Sequence, residues 1–585
     1  MSLLVIVLCC AALLGVAYRL YGNLLARLLR LDPNAETPAV ALRDDLDYAP
    51  IPPKFLLGQH FSAIAAAGPI VGPILAGVMF GWLPALIWIL IGSIFIGGVH
   101  DITALVASVR HRARSISDVV REHMTRRSYL LFLAFIYIAL VYIVVAFTDI
   151  TAASFIGEQK LENGQTVSGP GIATSSLLYL ILPVAMGLLL RYTKLSLLWA
   201  TVCFLPLVGV AIWAGQIFPL DLAAALNISN DRAHKIWDVL LLVYCFAASV
   251  VPVWLLLQPR GHLGGYFLYA VLAGGALGLL FGGKTAVYPA FLGWQSSTGQ
   301  TLFPLLFITI ACGACSGFHA LIASGTTSKQ LRRETDAKVV GYGTMLLEGM
   351  VAVVSLCCVM MFAHGSDVLK GSPNFIYANG IGSFLAVFGI PAKFGIAFGL
   401  MAFTTFVYDT LDICTRLGRY ILQELFDWRG AAGKLAATAI TALIPVFFVL
   451  QTATNDAGKV VPVWRVYWEL FGASNQLLAA LTLLGVTVWL ARTMRARWVW
   501  FVTGLPTVWM YVMSVWALLG IMQRSLSDKR GVSGDPVLWV AVVLITLAGL
   551  MLIEAVRVLL RPGGSPDAGS PGAGPPRPVP AVATS

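Results

Sequence analysis

Residues 59–80 read Gln-His-Phe-Ser-Ala-Ile-Ala-Ala-Ala-Gly-Pro-Ile-Val-Gly-Pro-Ile-Leu-Ala-Gly-Val-Met-Phe. The run is apolar and long enough to cross a bilayer, yet Gly68-Pro69 and Gly72-Pro73 interrupt its centre. Each proline removes a backbone donor and cannot continue a regular ladder. Lipid cannot satisfy the carbonyls set free, so such a break survives only inside protein or beside a wet cavity. Broken helices at mid-membrane depth are where secondary transporters hold substrates and ions. The run predicts a half-helix site built from Gly68, Pro69, Gly72 and Pro73, with His60 and Ser62 just before it.

The rest of the chain agrees with a membrane setting. Of its 585 residues, 58% are hydrophobic and only 11% charged, against about 25% charged in a soluble domain. A net charge of +11 would point to nucleic acid in a soluble protein. Here topology accounts for it, and no nucleic-acid partner is expected. About fifteen apolar spans are expected at roughly 20 residues each. They fall near 3–22, 59–80, 83–109, 129–149, 172–190, 195–217, 236–257, 264–283, 303–325, 339–362, 394–415, 435–453, 467–490, 498–522 and 536–559. The stretch 374–390 is apolar but short, and reads as re-entrant. Most of the 39 Lys and Arg residues fall in loops on one side if the N-terminus is outside. The positive-inside rule then gives a periplasmic N-terminus and a cytoplasmic C-terminus. Met1 to Arg19 lacks a leading positive charge and a small-residue cleavage site, so it reads as a first span. The nine cysteines lie in or near apolar runs and are expected to be free. The tail from Pro562 is rich in Pro, Gly and Ser and reads as disordered.

A repeat follows from spacing. If 59–80 opens a five-helix unit, the sixth helix is 236–257, which carries Val251-Pro252. Two interrupted helices five apart and antiparallel are the mark of an inverted repeat. The expected fold is an all-α polytopic membrane protein, with a five-helix inverted-repeat (LeuT/APC-like) core and extra C-terminal helices. Its expected divisions are a core at 1–370, C-terminal helices at 371–500, two further spans at 501–561 and the tail at 562–585.

A second polar run, Ala311 to Leu331, combines small residues (Gly313, Gly317, Ala320) with Ser316, His319, Ser324 and Thr327. Small residues let helices approach closely. Ser316 and His319 are candidates for substrate, Ser324 and Thr327 for a coupling ion. Ionisable groups inside spans are costly and functional by default, which adds Asp101, Glu348 and Asp409. Asp412 is expected to pair with Arg416 at i+4, and Asp149 reads as interfacial. Glu469, Ser474, Asn475 and Gln476 open a late span as helix caps or bridges. Cys312 and Cys315 form a CxxC with no second pair, so no metal is expected. Walker A, HExxH and nucleophile-elbow motifs are absent, and no loop is long enough for an ATP-driving domain. An enzyme is not expected.

The runs Gly58-Gln-His-Phe, Ala67-Gly-Pro-Ile-Val-Gly-Pro73, Gly98-Val-His-Asp101, Ser316-Gly-Phe-His-Ala320, Ser324-Gly-Thr-Thr-Ser-Lys-Gln330, Thr410-Leu-Asp-Ile-Cys-Thr-Arg416 and Trp468-Glu-Leu-Phe-Gly-Ala-Ser-Asn-Gln476 together resemble the carbon starvation protein A family. The resemblance covers about residues 1–500. It implies a bacterial inner-membrane transporter of the five-helix inverted-repeat type, linked to nutrient limitation and to uptake of peptides or pyruvate. It implies no residue-level substrate site. The expected activity is import of a small carboxylate-bearing nutrient with protons as coupling ion and no other cofactor. The alternatives are a sodium-coupled amino-acid or peptide symporter and a non-transporting membrane sensor. Expected partners are the substrate and membrane lipid; oligomeric state is left open.

Overall fold

The computed structural model describes residues 1–44, 48–160, 166–252, 254–428, 430–454, 460–527 and 536–560. The tail expected from Pro562 lies outside the described residues. Among the described residues, thirteen helices are long and apolar enough to cross a membrane, and a bent pair makes a fourteenth span if counted as one. The protein is an all-α polytopic membrane protein; its described strands form only two short two-stranded hairpins. Helices Arg126–Ala153, Glu334–Met360, Ala392–Leu425 and Val463–Met494 are buried over most of their length. They form the centre. Helices Leu3–Leu28, Leu197–Ile217, Gly430–Val449 and Pro536–Leu560 bury far less, and turn Leu8, Val16, Trp213, Leu443 and Ile553 outward. Lipid is as apolar as these side chains, so an outer ring needs no polar face. The short apolar stretch is the 13-residue helix Pro373–Leu385, packed in the interior.

The bent pair is Pro53–Ile64 and Gly68–Phe80, with a 52° bend. The break is real, but it lies at Ala65–Ala67 rather than at the glycine–proline pairs. Pro69 sits in the first turn of the second half-helix, where its missing N–H costs nothing. Pro73 lies inside that helix. Gly68 and Gly72 serve close approach instead. A Cβ on Gly68 would lie 2.2 Å from Cys312 Sγ, and one on Gly72 would lie 2.4 Å from the Thr309 carbonyl oxygen. Gly81, at φ 90°, then turns the chain into the next span.

Two further expectations need correction. The 236–257 stretch is not interrupted: a regular helix ends at Val250, and Val251-Pro252 falls in the link to helix Leu257–Phe281. Proline forces the residue before it out of helical geometry, and Val251 is extended, so the helix stops there. The second broken element is 302–325, expected to be continuous. It consists of Leu302–Thr309, Ala311–Ala314 and Phe318–Gly325, parted at Ile310 and at Cys315–Gly317. The spacing argument for the repeat thus loses its second member. The two elements that are broken cross each other at Gly68 with Cys312, Gly72 with Thr309, and Pro69 with Gly313.

Candidate functional site

A break in a buried helix leaves backbone groups without partners. Asn475 and Gln476, on helix Val463–Met494, meet those of 302–325. The Asn475 side-chain oxygen accepts the Phe318 N–H at 3.1 Å, and its carbonyl accepts the Gly317 N–H at 3.2 Å. The Asn475 amide donates to Ser316 Oγ at 3.0 Å and to Cys312 Sγ at 3.3 Å. Gln476 donates to the Phe307 carbonyl at 2.7 Å. These residues bridge helices, and Ser316 belongs to that bridge.

One turn on, His319 stands between two acids. Its Nδ1 is 2.8 Å from Asp101 Oδ2, and its Nε2 is 3.1 Å from Glu348 Oε2. The second contact lies off the line of a hydrogen bond, leaving Nε2 and both Glu348 oxygens without a formal partner. Asp101 Oδ1 also faces His100 Nδ1 at 2.7 Å. All four side chains are fully buried. His60 lies beside them, close enough to feel the charges of Asp101 and His319, with Nδ1 2.9 Å from Thr327 Oγ1. Its Nε2 has no partner. No Lys or Arg pairs with Asp101 or Glu348 among the described residues. An imidazolium would donate to both acids. A neutral ring would leave a proton to one of them. The triad therefore titrates as one unit.

Local structure explains how these groups meet. The helices carrying Asp101 and Glu348 each begin with a π-helical turn, Ser93–Gly97 and Lys338–Gly343. Such turns insert a residue and recur at functional sites. They interlock here: Tyr342 packs onto Gly98, where a Cβ would lie 2.4 Å from the ring, and its hydroxyl donates to the Ile94 carbonyl at 3.4 Å.

A second polar centre lies where helix Ala392–Leu425 meets Leu257–Phe281. Arg260, fully buried, reaches Asp409 Oδ1 at 2.7 Å, Asp412 Oδ2 at 2.6 Å and the Tyr408 carbonyl at 2.9 Å, and also bonds the Tyr244 hydroxyl. Tyr244 donates to Asp412 at 2.9 Å, and Ser62 to Asp409 Oδ2 at 3.0 Å. The expected Asp412–Arg416 pair does not form. Arg416 instead donates to the Ala248 and Val251 carbonyls, each at 2.8 Å, the groups left open where Pro252 ends its helix. The backbone carbonyls take up the Arg416 donors, and Arg260 reaches Asp412 from another helix. Arg260 is the functional residue the sequence reading missed. Its only signal is a charge directly after Pro259 at the mouth of a span.

The remaining candidates divide. Ser324 donates to the Ala320 carbonyl of its own helix at 2.7 Å and joins neither centre. Gly68, Pro69, Gly72 and Pro73 form the half-helix that abuts 302–325. Asp149, about one turn from the end of its helix, is buried in protein, accepting the Trp464 N–H at 2.8 Å beside His234, Lys235 and Asp238. Glu469 pairs with Arg524 and accepts from Gln300 at 2.9 Å. A cavity of about 740 Å³ is lined by sequence neighbours of both centres and by no residue of either. Gly58 and Gln59 line it just before His60, and Gly261 and His262 just after Arg260, with the exposed cations Lys54 and Arg191 at its rim.

Residues 2–373 and 366–517 match the family model described as carbon starvation protein CstA. The chain belongs to the CstA family. It is 31% identical over 571 residues to the peptide transporter CstA of Escherichia coli K12, covering 86% of this chain and 78% of that one. The Bacillus subtilis peptide transporter CstA is 30% identical, covering 95% and 97%. The pyruvate/proton symporter BtsT of Escherichia coli is 30% identical, covering 88% and 81%. Among solved structures, a manganese transporter from Eremococcus coleocola aligns at a TM-score of 0.49 and 14% identity, over 88% of this chain and 99% of that one. CstA-family relatives that are named transporters place the chain among membrane transport proteins, not enzymes.

Proposed function

We propose that this protein is a secondary active importer of a small carboxylate-bearing nutrient, pyruvate or a short peptide, driven by protons across the bacterial inner membrane. The N-terminus is periplasmic and the C-terminus cytoplasmic. The observation that carries the reading is the Asp101–His319–Glu348 triad. It is buried, titratable and without a fixed counter-cation, and it stands where two broken helices cross. Intramembrane acids of this kind serve proton relays. The names of two relatives, a peptide transporter and a pyruvate/proton symporter, support the substrate class and the ion.

In this reading the substrate enters the 740 Å³ cavity, large enough for a dipeptide. The cations Lys54 and Arg191 draw its carboxylate in. The positive dipole end of half-helix Gly68–Phe80 attracts it from deeper down. His60, with one nitrogen unpartnered, links the cavity wall to the triad. Protonation of the triad then removes its negative charge and lets the broken helices shift.

The test is uptake of labelled pyruvate and labelled dipeptides into proteoliposomes under an imposed pH gradient, with sodium or with choline as the salt. Gradient-driven accumulation in choline is expected. Accumulation that requires sodium and ignores the pH gradient would overturn proton coupling in favour of a sodium symporter.

A further inference from the structure

The connection between helices Gly98–Arg110 and Arg126–Ala153 holds a cluster that transport does not use. His111 follows the first helix directly. Arg112 and Ala113 then adopt left-handed geometry, at φ 60° and 54°, which side chains other than glycine rarely adopt. That turn sends the chain back along the short helix Ile116–His123, whose start is capped by Ser115. The fold returns His123 to His111. Their Nε2 atoms stand 2.7 Å apart, with the rings at 87°. The Glu122 carboxylate completes a set of three ligand atoms all within 4.8 Å of one another.

The tautomer of His111 is set by its other nitrogen. Nδ1 lies 2.6 Å from the Ala107 carbonyl, which only accepts, so Nδ1 carries the proton and Nε2 presents a lone pair toward His123. A ligating histidine is oriented in this way, by donating its second N–H to a carbonyl. We propose that His111, Glu122 and His123 bind one divalent transition-metal ion of the zinc type. Two imidazoles and a carboxylate with one open position form a recurrent zinc ligand set. Zinc needs nitrogens about 3.3 Å apart at Zn–N distances of about 2.0–2.1 Å, so the rings must part by about 0.6 Å. Both rings are half-buried and Glu122 is exposed, which leaves room for that movement and a path for the ion. The ring of Trp489 packs on both histidines, at 5.4 and 6.4 Å, and Arg492 donates to the His123 carbonyl at 3.3 Å. The bound ion would tie helix Ile116–His123 to the helix that carries Asp101. The sequence reading expected no metal in this chain.

The full-length protein, purified on a tag without histidine and stripped of metal, should bind one Zn²⁺ per chain in equilibrium dialysis with ⁶⁵Zn. Co²⁺ in its place should give the strong visible bands of a four-coordinate site. His111→Gln and His123→Gln should each abolish this binding. Glu122→Gln, which removes a direct ligand at an exposed position, should weaken it by at least about tenfold, the loss that even an outer group of a metal site brings. Absence of saturable binding by the unaltered protein would overturn the proposal and leave a histidine–histidine hydrogen bond. Binding that survives both histidine substitutions would also overturn it, placing the ion elsewhere, as at Asp149, His234 and Asp238. If the histidine variants fail to fold, the Co²⁺ bands of the unaltered protein and the Glu122→Gln affinity decide alone.

Discussion

Two buried polar centres lie inside the helix bundle, and they are built on opposite principles. Around Arg260, two aspartates face one permanent cation, with the Tyr244 hydroxyl and the Tyr408 carbonyl completing its bonds and Ser62 donating to Asp409. Around His319, two acids face an imidazole, and both Glu348 oxygens lack a formal hydrogen bond. Guanidinium stays charged throughout the physiological range, whereas imidazole and carboxyl groups can each hold or release a proton. The first centre is therefore a fixed fastening between helices. In the proposed function the second is the centre whose charge state changes during a transport cycle. A list of intramembrane acids treats Asp409 and Glu348 alike; their partners separate them.

The comparison breaks most visibly if one cation is removed. Arg260→Met leaves two buried carboxylates unpaired, and stranding buried charge costs about 3–5 kcal/mol. Thermal unfolding in detergent should show a large drop. Adding Asp409→Asn and Asp412→Asn to it should recover most of the loss and retain uptake. A triple variant that is stable but transports nothing would show that the fastening also acts in the cycle.

Next in size is Glu348→Gln. It preserves shape and removes a titrating group. The folded protein should survive, exchange of substrate should continue, and accumulation driven by a pH gradient should disappear. Counterflow and gradient-driven uptake, measured side by side, check this. Thr327→Ala sharpens the comparison further. It removes one partner of His60, a loss of about 1 kcal/mol. Uptake should slow a few-fold while the pH dependence keeps its form. The smallest effect is expected from Pro69→Ala with Pro73→Ala. Pro69 occupies a first turn and the break lies upstream at Ala65–Ala67, so transport should persist. Loss of transport there would mean that the prolines, not the packing at Gly68 and Gly72, keep the element broken.

What was legible in the sequence follows from where each interaction is made. Spans read well because a helix in lipid must satisfy its own backbone, so an apolar run of the right length has one solution. His60, Asp101, His319, Thr327 and Glu348 were legible for a related reason, since polar groups at membrane depth are few. The break at 53–80 announced itself through proline, though three residues out of place, because Pro69 begins a half-helix rather than ending one. The breaks in 302–325 at Ile310 and at Cys315–Gly317 carry no proline. They exist because Asn475 and Gln476, far along the chain, satisfy what they expose. Arg260 was hidden in the same way. Beside Pro259 and Gly261 it looks like a loop residue, and only Asp409 and Asp412 make its burial possible. The i+4 rule for Asp412 and Arg416 failed because a better partner came from another helix.

The central claim is that the triad at His319, and not the cluster at Arg260, carries the coupling proton. It is tested most directly by internal pH. Proteoliposomes loaded with a pH-sensitive dye should acidify when pyruvate or the transported dipeptide is added outside at equal starting pH. The same acidification is expected from the Arg260→Met, Asp409→Asn, Asp412→Asn variant, and none from Glu348→Gln, although that variant still exchanges substrate. Substrate-elicited acidification by Glu348→Gln at the rate of the unaltered protein would contradict the account.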